Sequence, residues 1–175
     1  MQHRGMGTVG GLILILLVFA GVWFLYQNWD WVNANFLHVY KTVPDFRLKD
    51  YLDRYHERSE FSGRPTVIHS WEADCSQCAD ELRDLASLQE ELGDKIYILA
   101  VNRGNSFSAA KNFTDRLGVS HRLFIFLDPQ SLFYKAIGGT HMPETIFADA
   151  EGKIIDRKKG HMQLNEIRQR IERIL

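Results

Sequence analysis

Residues 67–82 read Val-Ile-His-Ser-Trp-Glu-Ala-Asp-Cys-Ser-Gln-Cys-Ala-Asp-Glu-Leu, and this stretch decides the fold. The run 66–71 is apolar and rich in β-formers. Behind it Cys78, Leu82, Leu85, Leu88 and Leu92 are spaced three or four apart, which predicts a helix with Gly93 as its stop. Cys75-x-x-Cys78 therefore sits where a strand hands over to the first turn of a helix. Backbone N–H groups there lack intrahelical partners, and the helix dipole favours negative charge. A thiolate at Cys75 would be stabilised, as a thiol nucleophile requires. Cys78, one turn on, is near enough to resolve a mixed disulfide. The pair reads as a redox dithiol.

Length and composition narrow the choice. At 175 residues the chain has room for one domain and an appendage. A net charge of −1 implies no nucleic-acid or other polyanionic partner. The chain has only 2 cysteines. As a structural staple, a bridge over so short a loop would contribute about 2 kcal/mol, and a staple works better between distant segments. Half of a zinc site is the other alternative, but no second Cys pair or His-x₃₋₅-His completes it.

Outward toward the N-terminus, residues 1–8 carry His3 and Arg4 and no acid. Residues 9–26 are uncharged, with 12–19 apolar throughout. That is about 18 residues, at the short end of what spans a bilayer. Trp23, Tyr26, Trp29 and Trp31 cluster at the far end like an interfacial belt, and the positive end should stay cytoplasmic. A signal peptide cleaved near Val32-x-Ala34 fits less well with the bulky Trp-rich stretch before it, and a buried core helix fits less well with the lack of a polar face. The expected organisation is a cytoplasmic N-terminus (1–8), a transmembrane anchor (9–26), a tether (27–43) and a folded domain (44–175) beyond the membrane.

Within that domain, 44–48 should open with an edge strand, while 49–62 shows no clear pattern. Residues 96–101 form a continuous apolar run, expected of a strand buried on both faces. Residues 106–117 read as a helix with Ala109, Ala110, Phe113 and Leu117 inward and Gly118 as its stop. A second buried strand follows at 123–127, then a short helix at 131–137 before Gly138-Gly139. Residues 145–148 and 153–156 flank Asp149-Ala150-Glu151-Gly152 as a hairpin. Leu164, Ile167, Ile171 and Ile174 give a last helix one apolar face. The basic run Arg157-Lys158-Lys159 reads as a solvated strand end.

With these residues in place, the chain resembles the thioredoxin superfamily, and within it the membrane-anchored extracytoplasmic thiol–disulfide oxidoreductases of the TlpA, ResA and DsbE type. The resemblance is carried by Pro44-Asp45-Phe46, Trp71 four before Cys75, Cys75-Ser76-Gln77-Cys78, and Glu81. It continues through Ile98-Leu99-Ala100-Val101-Asn102 and Met142-Pro143-Glu144-Thr145, with Asp149-x-x-Gly152-Lys153. It covers roughly residues 44–175 in the family's order and fits the anchor.

The resemblance implies an α/β thioredoxin-like fold, a central mixed sheet flanked by helices, with an added helix at 106–117. It implies that Cys75 attacks the substrate disulfide, that Cys78 resolves it, and that a cis peptide joins Met142 to Pro143 beside the dithiol. Met142, Pro143 and Trp71 would then bind substrate. Glu81, one turn beyond Cys78, would tune the thiols and relay protons; the alternative is a solvated helix-surface acid beside Asp80 and Asp84. No cofactor beyond the Cys75–Cys78 disulfide is implied. The implied partners are exported protein thiols and a membrane thiol donor of electrons.

One departure matters: Asp74 stands where the family usually carries Trp. Asp74 with Gln77 resembles a capping box, and a carboxylate there would raise the Cys75 pKa and favour a reductant over an oxidant. Loss of the Trp also alters the surface around Cys75. Cu(I) binding through His69, His141, Met142 and the thiols is the alternative from another class, with soft ligands in its favour. A disulfide oxidase or isomerase is a third.

Overall fold

The computed structural model describes residues 6–28 and 41–175, with the side chains of residues 6–9 and 12 outside that description. Residues 1–5, Trp29, Trp31, the Val32-x-Ala34 site and residues 29–40 of the expected tether lie outside the described residues. The chain divides into two units after residue 39.

In the first unit, α1 (Met6–Gln27) is a 22-residue helix, about 33 Å long at 1.5 Å per residue. Its described side chains are exposed and apolar from Ile13 to Phe19 and again from Val22 to Tyr26. Among the described residues alone, no helix is long and apolar enough to cross a membrane.

The second unit is built on a seven-stranded sheet in the order β2-β1-β5-β4-β3-β6-β7. Its strands are β1 (Arg47–Lys49), β2 (Tyr55–Glu57), β3 (Thr66–Trp71), β4 (Tyr97–Arg103), β5 (Phe124–Asp128), β6 (Glu144–Ala148) and β7 (Ile154–Lys159). The three central strands are parallel, and β6 and β7 add antiparallel to β3 as a hairpin. Parallel neighbours need crossover connections, which α2 (Ser76–Leu92) and α3 (Phe107–Leu117) supply. This is the expected thioredoxin-like arrangement of a mixed sheet between helices.

Alternation along the strands sorts the core into two layers. Val67, Ile98, Ile125 and Phe147 face the helical side with Leu82, Leu85, Ala110, Ile167 and Ile171. Their chain neighbours Ile68, Leu99, Phe126 and Ile146 face the other side, where Phe133, Tyr134 and Ile137 pack. The last helix, α5 (Leu164–Ile171), lies on the first side, and the short α4 (Leu132–Ala136) on the second.

Four expectations need correction. β1 is not an edge strand: Tyr55–Glu57, inside the segment without a clear pattern, pairs outside it. Pairing begins before residue 44, since Thr42 bridges Lys153 and Val43 is buried. On α3, Ala110, Phe113 and Leu117 pack inward, but Ala109 is only half-buried and Thr114 is fully buried, its hydroxyl donating to Ala110 O and accepting from Ser120 Oγ. Arg157 is not a solvated strand end: β7 runs through it to Lys159, and its guanidinium pairs with fully buried Glu144.

Candidate active site

β3 is buried along its whole length and delivers the chain to the dithiol at the edge of the helical layer. The loop it enters is clamped from β4. Asn105 Oδ1 accepts from Ala73 N at 2.8 Å and from Asn102 Nδ2 at 2.9 Å, and Asn102 Nδ2 also reaches Trp71 O at 3.4 Å. Sequence reading left Asn105 out, because an Asn after a strand carries no mark of its partner.

α2 starts on the dithiol itself. Cys75 is the N-cap, and its Sγ accepts from Cys78 N at 3.0 Å. A sulfur in that position takes one of the helix's free N–H groups, as a thiolate would. Cys75 and Cys78 form a disulfide. Cys78 is fully buried and Cys75 half-buried, so only Cys75 is presented outward. The proposed Asp74 capping box is corrected here: Asp74 is exposed, and the capping place belongs to Cys75 one residue later.

Trp71 is also corrected as a substrate contact. It is fully buried and stacks on Phe113 with ring centroids 5.7 Å apart, so it offers no surface. Glu81 is not a solvated surface acid. It is fully buried on α2 and faces its own layer. Its Oε1 accepts from Met162 N at 2.7 Å and lies 3.0 Å from His161 Nδ1. Its Oε2 faces His69 Nδ1 at 3.5 Å and has no hydrogen-bond partner. Burial pushes the Glu81 carboxyl up to about 7, against the hydrogen bond from Met162 and the pull of His161. Burial likewise holds His69 down to about 3, so it is a neutral core residue.

The Met142–Pro143 peptide is cis. β3 pairs Ser70 with Glu144 at the end of the ladder, so Pro143 stands just past the pair where β3 leaves toward Cys75. Met142 is half-buried and packs against both core layers. The loop before it is held closely. Asp128 side-chain oxygens accept from Leu132 N and Tyr134 N, fixing α4, and Tyr134 donates to His141 O at 2.6 Å. Gly139 lies against the Tyr134 ring, where any Cβ would collide.

His141 is exposed and bonded through Nδ1 to Thr140 Oγ1, while His69 is bonded to Thr145 Oγ1 in the core. The two histidines named in the Cu(I) alternative thus sit in unlike surroundings, one in the core and one exposed. Among the described residues no group of three or more His, Cys, Asp or Glu is placed to hold a metal ion.

The Redoxin family matches residues 39–173. The chain is 30% identical over 176 residues to thiol-disulfide oxidoreductase ResA of Geobacillus thermodenitrificans, covering 99% of this chain and 97% of that protein. It is 29% identical over 124 residues to thiol:disulfide interchange protein DsbE of Vibrio cholerae, covering 70% of this chain and 65% of that one. The structure of MTB dsbF in mixed oxidized and reduced forms superposes with a TM-score of 0.70 at 20% identity, over 77% of this chain and 100% of that one. The buried Cys78, the outward Cys75 and the cis-proline loop thus stand within a shared framework: the chain belongs to the Redoxin family, as a ResA/DsbE-like thiol–disulfide oxidoreductase of the thioredoxin superfamily.

Proposed function

We propose that this oxidoreductase is a membrane-anchored, extracytoplasmic reductant of disulfides in exported proteins. The observation that carries the reading is the unequal burial of one redox pair, with Cys78 sealed and Cys75 turned outward at a helix start. Cys75 thiolate attacks a substrate disulfide, forming a mixed disulfide and releasing one substrate thiolate. Cys78, deprotonated with Glu81 as base, attacks Cys75 Sγ, closes the Cys75–Cys78 disulfide and releases the second thiolate. Two electrons pass from the dithiol to the substrate, and its thiolates take up the protons. The backbone at Met142, just before the buried Pro143, offers a strand-like edge to the substrate peptide.

Asp74, exposed beside Cys75, disfavours the thiolate by like charge, and so favours a reductant. The uncharged segment 9–26, inside the helix Met6–Gln27, supplies the anchor, and Arg4 holds its start in the cytoplasm. A reductant placed outside must be recharged, so its partner is a membrane protein passing electrons from cytosolic thiols. The haem-binding Cys pair of an apocytochrome c is a fitting client. The full chain in detergent should reduce insulin disulfides, with Cys75→Ala inactive, at a reduction potential well below about −200 mV. Inactivity of the wild-type chain, or a potential near that of strong oxidants, contradicts the reading.

A further inference from the structure

Glu81 is sealed from water, yet the base for Cys78 must pass on each proton it takes. Its two oxygens have unlike surroundings. Oε2 turns inward to His69 and lacks a hydrogen-bond partner, whereas Oε1 turns to the segment after β7, where Met162 N and His161 Nδ1 meet it. His69 offers no exit. It is fully buried, its Nδ1 lies 3.0 Å from Thr145 Oγ1, and its Nε2 has no partner. His161 is different: its side chain is 27% exposed, with Nδ1 on Glu81 and Nε2 3.2 Å from Gln163 Nε2 at the surface. Among the described residues it is the side chain that touches both the buried carboxyl and solvent.

We propose that His161 is a positioning residue that acts through Glu81, carrying the proton between that buried carboxyl and solvent during thiol–disulfide exchange. The inference rests on the reading of Glu81 as the base for Cys78. The Cys78 thiol gives its proton to Glu81, leaving a thiolate and a neutral carboxyl. Glu81 passes that proton to Nδ1 of the His161 tautomer that carries its hydrogen on Nε2, the imidazolium releases that Nε2 hydrogen to water, and exchange with solvent restores the tautomer. Each transfer moves one proton and no electrons, and Glu81 returns ionised for the next turnover. An imidazole suits this because its two nitrogens can bind one proton and release another.

The groups facing Glu81 are few. His161 approaches from the segment after β7, and His69 with Thr145 from the sheet beneath. Asp84 lies one turn on along α2 and raises the Glu81 carboxyl further by its charge. The dithiol lies one turn back. Burial and the neighbouring Asp80 also push the Asp84 carboxyl up.

The test uses the full chain in detergent and follows single-turnover reduction of a model peptide disulfide against pH. It compares wild type, His161→Ala and His161→Asn. Asn can hold Glu81 Oε1 with its amide but has no second nitrogen to pass a proton on, so it separates holding from transfer. Both variants should slow the resolving step by up to about 10²-fold at neutral pH, the lower end of what general acid–base catalysis contributes. Free imidazole should restore His161→Ala in proportion to its concentration, and the break near pH 7 should move upward once His161's pull on Glu81 is gone. A His161→Asn chain with the wild-type rate and pH profile, or a His161→Ala chain indifferent to imidazole, overturns the relay. If Glu81→Gln is as fast as wild type, the base reading fails and the relay with it.

Discussion

Two glutamates of the domain are fully buried, Glu81 on α2 and Glu144 at the start of β6. Their surroundings differ in kind. Glu144 is saturated: Oε1 lies 3.2 Å from Arg157 Nη1, and Oε2 accepts from Thr140 N at 3.0 Å and His141 N at 3.4 Å. Arg157 also donates to Ile137 O, so one ion pair ties β6, β7 and the loop before Pro143 together. Glu81 has no guanidinium, and one of its oxygens is unpartnered. A buried carboxylate with both oxygens engaged holds structure. One left short of partners has its charged form penalised and can trade protons.

The largest expected effect falls on the saturated side. Arg157→Met leaves Glu144 buried and unpaired, which should cost about 3 kcal/mol of stability in urea unfolding, as for other broken buried pairs. A loss under about 1 kcal/mol would show that the Arg157–Glu144 pair does not tie these elements together.

Next comes pH. Burial raises the native Glu81 pKa from 4.5 to about 7. Its contribution to stability is full below 4.5 and is lost as pH rises to about 7. His69 has its pKa lowered from 6.5 to about 3, so its contribution is full above 6.5 and is lost as pH falls toward 3. Between pH 4.5 and 6.5 the two slopes oppose, each worth up to about 1.4 kcal/mol per pH unit. Urea midpoints of the wild type should be nearly flat across that window. Glu81→Gln should remove the falling branch and leave stability rising with pH, and a flat Glu81→Gln profile would contradict the assignment.

The smallest effect belongs to Asp74, exposed and screened by solvent. Asp74→Asn should lower the Cys75 thiol pKa by less than about one unit and make the potential slightly more oxidising. Thiol titration of the reduced chain checks the sign, and a rise in pKa would refute the role given to Asp74.

Much of this was legible in the residues, and for identifiable reasons. The strand 66–71, the helix ending at Gly93 and the helix between Ser106 and Gly118 carry periodicity and stop signals within one short window. Cys75-x-x-Cys78 could be placed at a helix start for the same reason. What escaped depends on partners far along the chain. For Glu81 a surface acid stays open as an alternative in the sequence, because the segment that covers it, bearing His161 and Met162, lies some eighty residues on. The Arg157–Glu144 pair was hidden in a basic run that looked solvated. Trp71 enters as a substrate contact through the resemblance alone, whereas it is fully buried against Phe113. Tyr55–Glu57 is too short a strand to show alternation.

The account's central claim is that Cys75 makes the bond to substrate and Cys78 breaks it. Mixed-disulfide trapping tests this most directly: the reduced full chain is mixed with a disulfide-bonded peptide, and adducts are mapped by mass spectrometry. Cys78→Ala should accumulate a covalent adduct at Cys75, whereas Cys75→Ala should accumulate none. Equal trapping by both variants, or an adduct at Cys78, would contradict it.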